Sequence, residues 1–575
     1  MPDMPTAAGN ATVALRLAEA FARHGVTVGF GQSLPSAFWL AAPHVGIRQA
    51  AYRQENMGGA MADGYARVSG RVGVVTAQNG PAATLLVPPL AEALKASVPI
   101  VALVQEVNRD QTDRNAFQEM DHIRMFDAVA KWVRRIDRAD RLEDYVDMAF
   151  AAAASGRPGP AVLLAPADLL TENAGPPSPR RAMLGTYPLD RALADPALVE
   201  RAAAMLAEAR HPLVIAGGGV HLSDAAGELA ALQEAAHLPV AITVMGKGAV
   251  DETHPLTLGV VGYVMAAGAR THAMRPIVER ADVILLVGTR TNQNGTDSWT
   301  LFPRDARFIQ IDPDPQEMGR TYEPALRLAG DARLTLAALR EAMARRDLSN
   351  RAAARGGIAA EIEAGLADWR RRIAGVLARG GGPVRPERVV AELDARLDPT
   401  AIAVADASYS SIWIAQGLTA RKAGARYLTP RGIAGLGWGL PMAIGAQFAA
   451  PDRRVVCLAG DGGFAHSWAE LETLRRLKLP LTVIVLNNGI LGYQKDAEDA
   501  RFGEHTDAID FAPVDHAAIA RACGVAGMRV ERAEEVGPAL DAAFASGAPA
   551  LIDVITDPEA RPPITVFAGR FGEEQ

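Results

Sequence analysis

Apolar and polar positions along this chain follow two periods that trade places. Short apolar runs at 26–30, 72–77 and 100–104, at 212–216, 240–244, 283–287 and 308–311, and at 402–405, 455–459, 482–486 and 550–555 predict buried strands. Between them, residues 12–24, 56–67, 386–397, 469–477, 517–527 and 536–544 carry apolar residues at helical spacing. Strand alternating with helix predicts parallel units whose crossover helices cover both faces of a sheet, so the expected fold class is α/β and doubly wound.

Two stretches of weak periodicity divide the series. Residues 171–190 are rich in proline and read as a linker. Residues 345–382 are charged and alanine-rich and end in a glycine run before Pro383, which predicts a helical connector and a flexible join. The division expected is three doubly wound parallel-sheet domains, at about 1–175, 191–345 and 383–565.

Composition narrows the function classes. The chain has 575 residues, 49% of them hydrophobic and 22% charged, with a net charge of −7, which weighs against nucleic acid and against an anionic membrane surface as partners. No apolar run approaches the roughly 20 residues that span a bilayer. The first residues show no basic segment followed by an apolar core, and the two cysteines, Cys457 and Cys523, offer no disulfide framework. A cytoplasmic location is expected.

The densest chemistry lies between 455 and 492. The run at 455–459 meets Gly460, Asp461, Gly462 and Gly463, and the next predicted strand ends on Asn487 and Asn488. In a parallel unit both loops leave the carboxyl edge of the sheet, so Asp461 and Asn488 can converge although 27 positions separate them. A carboxylate and an amide oxygen at one spot suit a hard cation such as Mg²⁺, and Gly462 and Gly463 let backbone N–H groups approach a phosphate. The pair predicts a metal-bridged diphosphate site.

This constellation resembles the signature of thiamine diphosphate (ThDP) enzymes, and the likeness extends over nearly the whole chain. It implies that Asp461 and Asn488 hold Mg²⁺ by their side chains and Ile490 by its carbonyl. Arg53, Gln54 and Glu55, followed by Gly64, Tyr65, Ala66 and Arg67, resemble the corresponding segment of the acetolactate synthase branch. There Glu55 would be the catalytic carboxylate: bonded to the pyrimidine ring of ThDP, it assists removal of the thiazolium C2 proton. Residues 432–441 resemble the seat of the aminopyrimidine, with the Ala434 carbonyl accepting from the ring amine and Leu436 propping the rings. Ser408 and Tyr409 stand where relatives carry polar contacts to the diphosphate.

The substrate pocket departs from that branch. Tyr493, Gln494 and Ala497 replace a Met, a Val and a Trp, and with Gln32 and Gln78 they suggest a roomier, more polar pocket, whereas Phe117 and Gln118 match that branch's Phe-Gln-Glu segment, which lines the substrate channel there. Residues 285–290 and 311–314 resemble the middle domain that binds FAD or ADP in relatives, but Thr291, Asn292 and Gln293 replace the flavin-type Phe-Asp-Asp, which leaves FAD open. The glycines at 217–219 read equally as a nucleotide loop or as a tight turn.

The expected activity is cleavage or formation of a C–C bond next to the carbonyl of a small molecule, as a 2-keto acid decarboxylase or carboligase. The alternatives are a lyase or hydrolase of a 1,2-dione or 2-hydroxyacyl compound, a flavin-dependent oxidase, and a non-catalytic relative. The resemblance implies a homodimer or homotetramer with active sites at subunit interfaces.

Overall fold

The computed structural model describes residues 11–567, so the amino-terminal expectation about a secretory segment falls mostly outside them. Three six-stranded sheets are present, and every pairing between their strands is parallel. The first is built from β1 (Val28–Phe30), β2 (Arg48–Ala50), β3 (Gly73–Ala77), β4 (Ile100–Glu106), β5 (Trp132–Arg135) and β6 (Pro160–Pro166), in the order β2-β1-β3-β4-β6-β5. The second holds β7 (Pro212–Ala216), β8 (Val240–Ile242), β9 (Thr257–Val260), β10 (Val283–Val287), β11 (Arg307–Asp312) and β12 (Pro324–Ala329), in the order β12-β11-β10-β7-β8-β9. The third, with β13 (Ile402–Ala405), β14 (Arg426–Leu428), β15 (Val455–Gly460), β16 (Thr482–Asn487), β17 (Ala526–Val530) and β18 (Ala550–Ile555), repeats the first: β14-β13-β15-β16-β18-β17.

These orders fix where ligands can sit. Chain direction across the sheet reverses between β1 and β3, between β7 and β10, and between β13 and β15. At such switch points the loops from the carboxyl edge splay apart and leave a crevice. The three crevices are bounded by the loops after β1 and β3 (Gln32, Gln78), after β7 and β10 (Gly217, Gly288), and after β13 and β15 (Ser408, Asp461).

The chain forms two compact units. One contains the first sheet, through Asp190, and takes in two later stretches, 430–452 and 466–481. The other contains the second and third sheets. In the first unit the helix Glu55–Ser69, rich in Gly and Ala, lies against the helix Gly439–Ala449. Small residues on both sides let the backbones approach: a Cβ at Gly64 would stand 2.1 Å from the Met442 carbonyl oxygen, and one at Gly445 would stand 1.9 Å from that of Met61. In the second unit, apolar residues of the second sheet's core continue into Ile412, Ala415, Ile564 and Phe567.

The linker at 171–190 carries no strand beyond isolated bridges and is pinned to the first unit by Tyr187, whose hydroxyl donates to the Ala66 carbonyl at 2.6 Å. The connector is a helix, Ser349–Leu377. Seven strands, β2, β5, β6, β9, β12, β14 and β17, lie outside the runs read from sequence, and one reading is corrected. Residues 517–527 are not a single helix; the helix His516–Ala522 ends and the chain enters the edge strand β17, whose exposed residues lack a clear alternation. Among the described residues no helix is long and apolar enough to cross a membrane.

Gly445→Ala should lower stability by about 1–3 kcal/mol or more, the cost of forcing a methyl into a packed contact, whereas Gly227→Ala, with nothing within 4 Å of its added methyl, should be neutral or slightly stabilising. Chemical denaturation of both variants checks this.

Candidate functional site

At the carboxyl edge of the third sheet, β15 ends at Gly460 and the chain turns into a single helical turn, Asp461–Phe464. Asp461 is only 6% exposed, and its Oδ2 accepts the N–H of Gly489 at 2.8 Å. Burial pushes its carboxyl up to about 6, against the pull of the backbone N–H groups of Gly489 and Gly462. A buried carboxylate held this way gains from a nearby cation.

β16 delivers two asparagines to different tasks. Asn487 turns inward, donating to the Val514 carbonyl at 3.0 Å and to Asp553 at 2.9 Å, and locks the strand end. Asn488 faces the loop, where one end of its amide lies 3.0 Å from the Ile490 carbonyl oxygen and 3.2 Å from Asp461 Oδ1. Nitrogen at that end would donate to both; oxygen there, the orientation in which Oδ1 also accepts the Ile490 N–H at 3.3 Å, completes a cluster of three oxygens with no proton among them. Magnesium holds neighbouring ligand oxygens about 3 Å apart, the edge of an octahedron with bonds near 2.1 Å. The donor set therefore fits a hard divalent cation. No group of three or more His, Cys, Asp or Glu that could hold a metal ion occurs among the described residues, so amide and carbonyl oxygens must complete the set.

Gly462 lies under this loop, where a Cβ would come within 2.8 Å of Leu491 and 2.9 Å of Phe511, and Gly463 is buried beside it. Ser408 opens the helix Tyr409–Gly417 at a φ of 65° without capping it by its side chain. Tyr409 does not offer its hydroxyl outward: it donates to Asp496, which is 3% exposed and also pairs with Arg561 Nε at 2.9 Å. Its ring packs edge-on against Tyr493, 5.5 Å away, and Tyr493 in turn meets Phe567. Gln494 is exposed on the helix Gly492–Phe502 and donates to Glu498 one turn on, at 2.9 Å.

In the first unit, Glu55 is the first residue of its helix, where the helix dipole favours an anion. It is half-buried, and no hydrogen bond or ion pair from another described residue engages its carboxylate. The backbone just ahead of it is held by Glu470, 1% exposed, whose carboxylate accepts the Arg53 N–H at 2.9 Å. Gln32 holds the same segment from another side, donating to the Arg53 carbonyl at 2.9 Å. Gln78 donates to Gln118 at 2.9 Å, and Phe117 beside them is 85% exposed. His122 is buried under the Gln78 loop, its Nε2 accepting the Gly80 N–H at 3.1 Å and its Nδ1 facing Glu106 at 3.1 Å.

Ala434 adopts a φ of 62°, a left-handed conformation that costs an alanine about 1–2 kcal/mol, so its surroundings must impose it. Leu436, two residues on, is partly exposed. The N–H groups of Gly432, Ile433 and Ala434 all point at the buried carboxylate of Glu92. Glu92, Glu470, Asp496 and Arg561 were not among the candidates read from sequence. A lone acid inside the apolar stretch Leu90, Ala91, Glu92, Ala93, Leu94 was the available signal.

At the second sheet's switch point the glycines serve the chain itself. A Cβ on Gly219 would stand 2.6 Å from the Gly288 Cα, and one on Gly217 would stand 2.4 Å from the Gly288 carbonyl oxygen. The following loop turns on itself, with Asn292 accepting the Gly295 N–H at 2.8 Å and Gln293 donating to Ser298.

Residues 11–125 match the thiamine pyrophosphate enzyme, N-terminal TPP binding domain; residues 199–339 match the central domain; and residues 406–554 match the C-terminal TPP binding domain. A probable acetolactate synthase large subunit of Methanococcus aeolicus is 31% identical, over 92% of this chain and 89% of its own length. The acetolactate synthase large subunit of Parasynechococcus marenigrum (strain WH8102) is 34% identical over 94% and 87%. The acetolactate synthase isozyme 2 large subunit of Escherichia coli (strain K12) is 31% identical over 89% of each.

Tyr409→Phe removes one donor from buried Asp496 and should cost about 1–3 kcal/mol. Asp496→Ala leaves the Arg561 guanidinium without that partner and should cost more; equilibrium unfolding in urea ranks the two.

Proposed function

Because this chain belongs to the thiamine pyrophosphate enzymes, among the relatives of acetolactate synthase large subunits, we propose that it binds ThDP through Mg²⁺ and uses it to break and form C–C bonds next to the carbonyl of a 2-keto acid. The observation that carries the reading is the oxygen cluster at Asp461, Asn488 and Ile490. Those three groups would hold the metal, and the metal would bind the diphosphate. When bound, the cofactor supplies the electron sink that a carbonyl carbon lacks on its own.

The remaining tasks fall to the chain. Glu55 accepts and returns a proton at the pyrimidine ring, a task suited to a half-buried carboxylate with no hydrogen-bond or ion-pair partner among the described residues. The Ala434 carbonyl orients the ring amine, and the Leu436 side chain sets the posture of the rings. Ser408, Gly462 and Gly463 line the diphosphate, with Tyr409 braced behind them. Substrate contacts fall to Gln78, Gln118, Phe117 and Tyr493. Gln32 and Gln494 line the same pocket, each with one end of its amide also bonded within the chain.

A second reading, a lyase or hydrolase of a 1,2-dione or 2-hydroxyacyl compound, is favoured by one feature. The Gln78 and Gln118 amides bond to each other and leave an acceptor and a donor for a polar substrate. No step in either reading draws on a flavin. The protein is proposed to act as a homodimer or homotetramer in the cytoplasm.

Incubation with 2-keto acids, 1,2-diones and acyl-CoA compounds in the presence of ThDP and Mg²⁺, with products followed by mass spectrometry, separates the readings. Glu55→Gln should keep cofactor affinity and lower turnover by a factor on the order of 10². Unchanged turnover would remove Glu55 from the reaction, and cofactor binding without product from any class would mark a non-catalytic relative.

A further inference from the structure

Glu92 sits on the helix Val87–Ala96 with its side chain 2% exposed. Its carboxylate takes N–H donors from three successive residues of one loop: Gly432 at 2.7 Å on Oε1, and Ile433 at 2.7 Å and Ala434 at 3.3 Å on Oε2. Consecutive amides that converge on one anion form a nest of the kind that elsewhere binds phosphate. Here a side chain of the same chain fills it.

The contact is close on both sides. A Cβ at Gly432 would come within 2.5 Å of the Glu92 carbonyl oxygen and 2.9 Å of its carboxyl carbon. Arg67 completes the cluster, with Nη2 3.4 Å from Glu92 Oε1 and Nε 2.7 Å from Asp63. Burial pushes the Asp63 carboxyl up to about 6, against the pull of Arg67.

The loop so held carries Ala434, whose left-handed backbone aims its carbonyl, and Leu436. The three anchored amides fix the peptide planes up to the Ala434 nitrogen, and the φ of 62° at Ala434 sets its carbonyl relative to that fixed point, so the carbonyl direction depends on the carboxylate through one further rotation. We infer that Glu92 is a positioning residue of the reaction, fixing the loop 432–436 so that the Ala434 carbonyl and the Leu436 side chain meet the cofactor's pyrimidine ring in reactive posture. This rests on the reading that the loop seats that ring. Glu92 itself touches neither substrate nor cofactor. Its loss should therefore affect turnover rather than the metal-dependent grip on the diphosphate, which other residues supply.

The test compares Glu92→Gln and Glu92→Asp with the unaltered protein. A glutamine presents an N–H₂ where an acceptor is needed, whereas an aspartate keeps the charge on a shorter arm. Backbone hydrogen exchange, measured by mass spectrometry without cofactor, should quicken in Glu92→Gln at residues 430–438 and stay unchanged in the three sheets. With Mg²⁺ and ThDP, cofactor affinity should stay within about threefold while kcat falls by a factor on the order of 10 to 10², the range expected for a misplaced reacting group. Glu92→Asp should recover part of the loss.

If Glu92→Gln does not fold, Gly432→Ala displaces the loop while keeping the carboxylate, and the same pair of readouts applies. Unchanged exchange at 430–438, or a loss confined to cofactor affinity with kcat intact, would overturn the inference. Failure of the unaltered protein to bind ThDP would instead overturn the reading it rests on.

Discussion

The arrangement on which the rest depends is the convergence of the Asp461 carboxylate, the Asn488 amide and the Ile490 carbonyl at the end of β15 and β16. Asp461, Asn488 and the Ile490 carbonyl approach to within 3.0–3.2 Å across the Asn488 amide. Oxygens packed this way repel unless a proton or a cation lies between them. The parallel sheet creates the encounter, because successive strands end at one edge and present their loops to one crevice. Sequence distance is irrelevant there; strand adjacency decides. β15 and β16 pair in register from Val456 with Thr482 to Gly460 with Leu486, so the two loops leave the sheet side by side.

Within each unit, buried carboxylates serve as clamps on backbone. Glu92 holds the loop 432–434, Glu470 holds the segment before Glu55, and Asp553 accepts from His516 and Asn487. Each is an anion removed from water, which is costly unless N–H dipoles or a cation compensate it. All three have such donors. The result is a set of segments with defined conformations, including the left-handed Ala434.

Much of this was legible from residue order. Buried strands announce themselves as apolar runs: 283–287 was read as a strand and is β10 at the same bounds, and 402–405 is β13. Glu55, Asp461 and Asn488 stood out because their neighbours form recognisable strand ends and helix starts. The edge strand β17 was not legible, since its exposed positions blur the alternation. Nor were Glu92 and Glu470, because an acid on a helix reads as solvated until tertiary packing buries it. Gln32 and Gln494 were read as pocket groups from their loops alone. Each also bonds within the chain: Gln32 to the Arg53 carbonyl, 21 residues on, and Gln494 to Glu498, one helical turn on, a spacing visible in the sequence.

The central claim is that the oxygen cluster grips a metal-bound diphosphate. Titration calorimetry with ThDP, in Mg²⁺ and in excess chelator, for the unaltered protein and for Asp461→Ala, addresses it most directly. Tight binding by the unaltered protein only when Mg²⁺ is present, lost by at least about a hundredfold in Asp461→Ala, is the result expected. Binding of equal strength with and without the metal, or in both proteins, would contradict it.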